Sequence, residues 1–178
     1  YLANFSIFQS IPDAWSIGQL FPILPLSRHD EKTSHKANIV DITCDSDGCI
    51  ERFVDKRGVK SVIDLHKPDN KPYYLGFFLV GAYQESLSNE HNLFGAINEV
   101  EVVQNEEGSW SITKTTEGDL VKELLTCRNY DMEEMIASYQ KQLEKQVAEN
   151  FVSKEKAKEL LGSLTKYLDC YPYLKEKE

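Results

Sequence analysis

The sequence predicts a mainly β chain that ends in helices: an antiparallel, Greek-key-like β-barrel or sandwich over residues 1–115, then a small helical domain over residues 116–178. Three observations lead there. Short apolar runs with the alternation of strands fill the first two thirds of the chain. Turn-forming pairs punctuate them at regular intervals, as in all-β domains. After Thr115-Thr-Glu-Gly118 the apolar spacing changes to the roughly 3.6-residue period of a helix. A chain of 178 residues is long enough to bury a core without metal or disulfide staples.

Taken in order, the expected strands are Leu2 to Phe8, Phe21 to Leu26, Ala37 to Cys44, Ile50 to Val54, Ser61 to Leu65, Tyr73 to Ala82, Ile97 to Gln104 and Ser109 to Lys114. Asp47-Gly48, Arg57-Gly58, Pro68-Asp-Asn70 and Glu107-Gly108 supply the turns between them. A short helix is expected after Pro12-Asp13. Asp119 to Thr126 forms another. In Asp131 to Glu149, Met132, Met135, Ile136, Tyr139, Leu143 and Val147 share one face, with Asp131 as N-cap and Glu134 placed to complete a capping box. Ser153 caps a last helix whose stripe is Ala157, Leu160, Leu161, Leu164 and Leu168. Both stripes read as packing surfaces.

Composition narrows the function classes. The net charge of −9 is spread along the chain, with 10 basic against 16 acidic side chains up to residue 115 and 10 against 13 beyond it. Neither part has the clustered lysine and arginine of a phosphate-backbone binder, so no nucleic-acid partner is expected. No apolar run approaches the roughly 20 residues of a membrane span, so no membrane partner is expected either. The N-terminus has no signal-peptide pattern, which makes the cytoplasm the expected location. The absence of an initiator methionine before Tyr1 suggests a piece of a longer polypeptide. Cys44, Cys49, Cys127 and Cys170 are too few and too scattered for a disulfide framework and are expected to be free thiols. His29, His35, His66 and His91 show no metal-ligand spacing, and no metal site is expected from protein ligands.

The stretch Asp41-Ile-Thr-Cys-Asp-Ser-Asp-Gly48 sets a thiol beside a carboxylate where a strand should give way to a turn. Strand alternation puts Cys44 on the face of Val40 and Ile42, which on its own favours a buried structural cysteine. Asp45 favours the other reading, because a turn starting there can expose both groups at the rim of a sheet. A thiol with an ordinary pKa near 8.5 is mostly protonated at neutral pH and can donate a proton without tuning. Asp45, Asp47 and Gly48 resemble part of a calcium loop, but Thr43 and Val54 then fall on positions that need carboxylates, so that reading fails. Asp47-Gly48 is expected instead as a type I′ hairpin turn.

A second stretch, Leu75-Gly-Phe-Phe-Leu-Val-Gly-Ala-Tyr-Gln-Glu85, reads as a covered strand in which Gly76 and Gly81 allow close approach. Tyr83 at its end is either a core tyrosine with a surface hydroxyl or a donor to a phosphate. His91-Asn-Leu-Phe-Gly95 reads as a polar and aromatic loop.

These stretches, with Tyr1-Leu-Ala-Asn-Phe-Ser-Ile-Phe-Gln-Ser-Ile-Pro-Asp-Ala-Trp15 and Gln19-Leu-Phe-Pro22, together resemble the C-terminal part of the bacterial biosynthetic arginine decarboxylases. That family has the alanine racemase fold, with a cofactor-bearing barrel and a β domain that completes the site. The resemblance implies decarboxylation of L-arginine to agmatine, at the entry to polyamine synthesis, with pyridoxal 5′-phosphate as cofactor and magnesium as a further ion. It implies that Cys44 protonates the substrate carbon, that Asp45 binds substrate, and that Tyr83 lies near the cofactor phosphate. A homodimer or higher homo-oligomer is implied, with the site at the dimer interface and the cofactor held mainly by the barrel, so these residues alone should not catalyse. Same-fold decarboxylases of ornithine, diaminopimelate or carboxynorspermidine are the alternatives within enzymes. Outside them stands a non-catalytic β-barrel interaction module, which would bury the Cys44–Asp45 rim. A pyruvoyl-dependent arginine decarboxylase is disfavoured by the N-terminal tyrosine.

Overall fold

Residues 1–175 are described by a computed structural model, in which the chain divides into two compact units, residues 1–94 and residues from 95 onward. The expected boundary at 115/116 falls one residue before the end of the last strand, whereas the division by contact groups the last hairpin with the helices. The final three residues of the expected helical domain lie outside the described residues.

The first unit contains α1 (Ile7–Ser10), α2 (Pro12–Ser16), β1 (Ile23–Pro25), β2 (His35–Ala37), β3 (Ile39–Val40), β4 (Cys49–Ile50), β5 (Phe53–Asp55), β6 (Gly58–Lys60), β7 (Ile63–Leu65), β8 (Leu75–Phe77), α3 (Tyr83–Ser86) and a single 3-10 turn, His91–Leu93. Its strands form four antiparallel pairs, β1 with β8, β2 with β7, β3 with β4 and β5 with β6. No closed barrel forms among the described residues, so that part of the expected architecture is corrected while the antiparallel β character stands.

Local polar chemistry explains why the strands are shorter than the apolar runs. The strand expected from Leu2 is reduced to one isolated parallel bridge from Leu2 to Val40. It does not continue to Phe8, because the Ser6 hydroxyl accepts from Gln9 N–H and caps α1. The buried Asp41 carboxylate takes the Ile7 N–H at 2.9 Å, which draws that segment away from any ladder. Likewise the run Tyr73 to Ala82 pairs only over β8. Leu79 and Gly81 have φ values of 60° and 75°, and a left-handed residue cannot continue a strand. Tyr83 therefore opens a helical turn and does not close a strand.

Two apolar clusters hold the unit. Ile39, Phe53, Ile63 and Leu65 form one, with Phe5 and Phe77 against it. Ile7, Ile11 and Phe21 form the other, and Phe5 and Phe77 pack against this one too, joining the two. Each fully buried aliphatic or aromatic side chain contributes about 1.5–3 kcal/mol. His66 is buried beside the first cluster, with Nδ1 facing the Tyr73 hydroxyl at 2.7 Å and Nε2 facing the Glu31 carbonyl at 3.2 Å. Both ring nitrogens are thus satisfied, and His66 is a structural residue.

In the second unit β9 (Glu99–Gln104) and β10 (Trp110–Thr116) pair antiparallel with a bulge between Ile112 and Lys114. The helices follow as α4 (Val121–Cys127), α5 (Met132–Ala148) and α6 (Lys154–Leu168). The expected caps are present: the Asp131 carboxylate accepts from Glu133 and Glu134 N–H, and the Ser153 hydroxyl from Lys156 N–H. At α4 the Glu123 carboxylate reaches back to Leu120 N–H at 2.7 Å, which is half a capping box because leucine offers no acceptor in return. Among the described residues of this unit, Leu124, Leu143, Leu168 and Tyr173 are the buried large apolar ones. Among the described residues no helix is long and apolar enough to cross a membrane.

Candidate functional site

The turn that follows β3 is built on Asp41. Its carboxylate is 3% exposed and accepts from Ile7 N–H, Thr43 N–H and the Thr43 hydroxyl, the last two at 2.9 and 2.7 Å. Asp41 N–H in turn donates to the Gly48 carbonyl at 2.8 Å, closing the loop at its neck. Gly48 N–H donates to the Asp45 carbonyl at 3.0 Å and Asp47 N–H to Asp45 Oδ1 at 2.9 Å. Asp45 and Gly48 are thus the first and last residues of a β-turn reinforced by an Asx contact.

This corrects two expectations. Cys44 does not end a strand, since β3 stops at Val40 and the thiol sits four positions later in the loop. Nor is the Asp47-Gly48 turn of type I′, because neither residue has a positive φ. Glycine is required at position 48 for space instead. A Cβ there would collide with the Asp41 carboxylate, meeting its Cγ at 2.7 Å and the Thr43 hydroxyl oxygen at 2.8 Å. Gly48→Ala is therefore expected to destabilise the first unit by about 1–3 kcal/mol, measured as a lowered midpoint of urea unfolding with unchanged slope. An unshifted midpoint would mean that the neck of the loop is not rigid.

Cys44 is exposed and free, and Asp45 has a side chain 33% exposed. The non-catalytic module would have hidden this rim inside the fold. Cys49 differs from Cys44: it lies in β4, partly covered, and burial first, then the Glu51 carboxylate, push its thiol pKa up. It stays protonated and unreactive at neutral pH.

The structure brings to this turn residues that the sequence left as separate segments. Asp45 Oδ2 lies 3.2 Å from His91 Nε2, and Cys44 N–H donates to Asn92 Oδ1 at 3.1 Å. The His91 ring stacks on Phe8 with centroids 4.4 Å apart, Phe8 meets Trp15 edge-on, and the Trp15 indole N–H donates to Asp47 Oδ2 at 3.1 Å. Nothing local in the sequence signals these pairings, which span 46 and 48 positions for Asp45–His91 and Cys44–Asn92. The only hint was that His91 and Asn92 belong to a stretch carrying the family resemblance.

Tyr83 is not placed in contact with this cluster. Its side chain is 82% exposed, and the preceding Gly81 has open space where a Cβ would stand. That arrangement is not a phosphate cradle. Among the described residues no group of three or more His, Cys, Asp or Glu is placed to hold a metal ion, so the donor set does not fit magnesium and no step is assigned to it.

Comparison with known proteins agrees along the chain. Residues 121–174 match the family model described as the arginine decarboxylase C-terminal helical extension. The chain is 44% identical to biosynthetic arginine decarboxylase 1 of Synechocystis sp., covering 98% of this chain and 26% of that protein. It is 46% identical to the biosynthetic arginine decarboxylase of Citrifermentans bemidjiense, over 99% of this chain and 28% of that one. In three dimensions it resembles the crystal structure of the biosynthetic arginine decarboxylase SpeA from Campylobacter jejuni with a TM-score of 0.86 at 38% identity, covering 99% of this chain and 29% of that one. The chain thus spans a little over a quarter of the length of these relatives.

Proposed function

Because the chain matches the C-terminal region of biosynthetic arginine decarboxylases over nearly all its length, we propose that it forms the part of such an enzyme that delivers the proton and binds the substrate's positive charge. The reaction is decarboxylation of L-arginine to agmatine and carbon dioxide, in the cytoplasm, as an entry to polyamine synthesis. The active form is a homodimer or higher homo-oligomer. The observation that carries the reading is the pairing of an exposed free thiol at Cys44 with an adjacent, partly exposed carboxylate at Asp45, held on a buttressed turn.

Pyridoxal phosphate, when bound, supplies the electron sink that makes loss of the carboxylate possible. In this chain the tasks are positioning and proton delivery. The Asp45 carboxylate binds a cationic nitrogen of arginine by charge-assisted hydrogen bonds. Cys44 Sγ gives its proton to the α-carbon once carbon dioxide has left, and the resulting thiolate is reprotonated from solvent across its exposed side. The Tyr83 phenol donates to the cofactor phosphate. Its exposure, and the open space at Gly81 two residues before it, support that role.

The chain spans only a quarter of its relatives, and the cofactor's anchor is assigned to the remainder. Residues 1–178 alone, mixed with pyridoxal phosphate and arginine, are expected to release no carbon dioxide above background, while the full-length protein does. Turnover by the isolated chain would overturn the division of labour. A panel of arginine, ornithine, diaminopimelate and carboxynorspermidine with the full-length protein tests the substrate: preference for any but arginine refutes the assignment.

A further inference from the structure

The Cys44–Asp45 turn is gripped from outside at three points by two segments distant in sequence. Asn92 Oδ1 accepts from Cys44 N–H, His91 Nε2 faces Asp45 Oδ2, and the Trp15 indole holds Asp47 Oδ2. The grips are linked to one another, since Phe8 lies between His91 and Trp15 with centroid separations of 4.4 and 5.1 Å. Asn89 N–H donates to the Phe8 carbonyl at 3.0 Å, tying the 89–93 corner to α1.

That corner is also held in an unfavourable backbone state. Asn92 has φ 55° and ψ 26°, and Leu93 follows with φ 61°. Asparagine tolerates the left-handed region, whereas leucine is strained in it. Strain of this kind persists only where surrounding contacts over-determine it, and it concentrates at functional sites. Here the conformation points two consecutive side chains at two consecutive residues of the turn. Relaxing the backbone would take both away.

We propose that His91 and Asn92 are positioning residues for the proposed site: Asn92 fixes the backbone of Cys44, and His91 fixes the carboxylate of Asp45, so that proton donor and cation binder keep a set spacing. The proposal rests on the function assigned above. His91 is suited to the task because its ring is held against Phe8, with centroids 4.4 Å apart, while Nε2 faces Asp45 Oδ2 at 3.2 Å, so the packed ring fixes where that carboxylate oxygen stands. Asp45 Oδ1 is meanwhile occupied by Asp47 N–H, so both oxygens have a defined direction.

The two residues act on different partners, so their variants should separate. In the full-length protein His91→Ala is expected to raise KM for arginine and the Kd for agmatine about 5- to 10-fold with kcat little changed, the loss of one polar contact that orients a charged group. His91→Gln, which keeps a donor, should restore most of this. Asn92→Gly retains the left-handed backbone but loses the acceptor. It is expected to lower kcat about 5-fold and the ratio of agmatine formed to carbon dioxide released, with KM nearly unchanged, and Asn92→Asp should restore both. Cys44→Ala and Asp45→Ala are run alongside. If these two are impaired while His91→Ala and Asn92→Gly behave like the parent, the positioning roles are wrong and the site stands. If Cys44→Ala and Asp45→Ala are themselves normal, the functional reading fails. Equal impairment of the alanine, glycine and conservative variants would also overturn the positioning roles, because the restored contacts would then count for nothing.

Discussion

Cys44→Ala in the full-length protein is expected to lower agmatine formation by about 100-fold or more, the scale of a lost general acid, while the protein folds as before. Cys44 is exposed, and substitutions at such positions usually shift stability by no more than about 0.5 kcal/mol. The chemical consequence is specific. Carbon dioxide can still depart, but the electron pair left at the α-carbon has lost its nearest proton. Water can still protonate that carbon, slowly, and give agmatine, but protonation at a different atom then competes and diverts the product, so agmatine no longer accounts for all the carbon dioxide released. Measuring both products in one assay separates a missing donor from a merely weakened enzyme, in which the two would fall together. A variant with unchanged rate and unchanged ratio would return Cys44 to a structural role.

The second large effect is expected at Asp45. Asp45→Ala should raise KM for arginine about 10- to 100-fold, since a hydrogen bond between charged partners contributes about 1.5–3 kcal/mol. The turn complicates that variant, because Asp45 Oδ1 also accepts from Asp47 N–H. Asp45→Asn resolves it: the amide keeps the acceptor for Asp47 N–H and removes only the charge. If charge is what Asp45 supplies, Asp45→Asn matches Asp45→Ala in KM. If it matches the parent instead, Asp45 shapes the turn and binds nothing. The contact with His91 is half-exposed, so its own contribution to stability is small and does not obscure the result.

The helical part of the fold was legible because its signals are local. Asp131 and Ser153 announce the starts of α5 and α6 within a few residues of the apolar stripes they precede, and both side chains make the expected contacts. The β9–β10 hairpin was legible for the same reason, with Glu107-Gly108 at its tip. The first unit was read less well, because distant groups override its periodicity. Alternation from Leu2 to Phe8 suggested a strand, yet Ser6 and the far-off Asp41 carboxylate turn that segment into α1. A carboxylate 34 positions away leaves no trace in a local pattern.

The site was half legible. A thiol beside a carboxylate before an Asp-Gly pair is visible in any reading, and resemblance attached a chemistry to it. Its placement on a strand end was wrong because β3 stops at Val40, where Asp41 turns its backbone toward Gly48. His91, Asn92 and Trp15 could not be read as neighbours of the turn, since each reaches it through tertiary packing around Phe8. Tyr83 was expected at a strand end and begins a helical turn instead, because Leu79 and Gly81 break the strand before it.

Cys44 is proposed to stand at the reacting carbon. A crystal structure of the full-length protein with cofactor and agmatine bound tests it most directly. If Cys44 is the proton donor, its sulfur lies within about 3.5 Å of the product's former α-carbon, the range in which reacting atoms meet, with Asp45 on one of its nitrogens. A product bound elsewhere, with that sulfur facing only solvent, would contradict it.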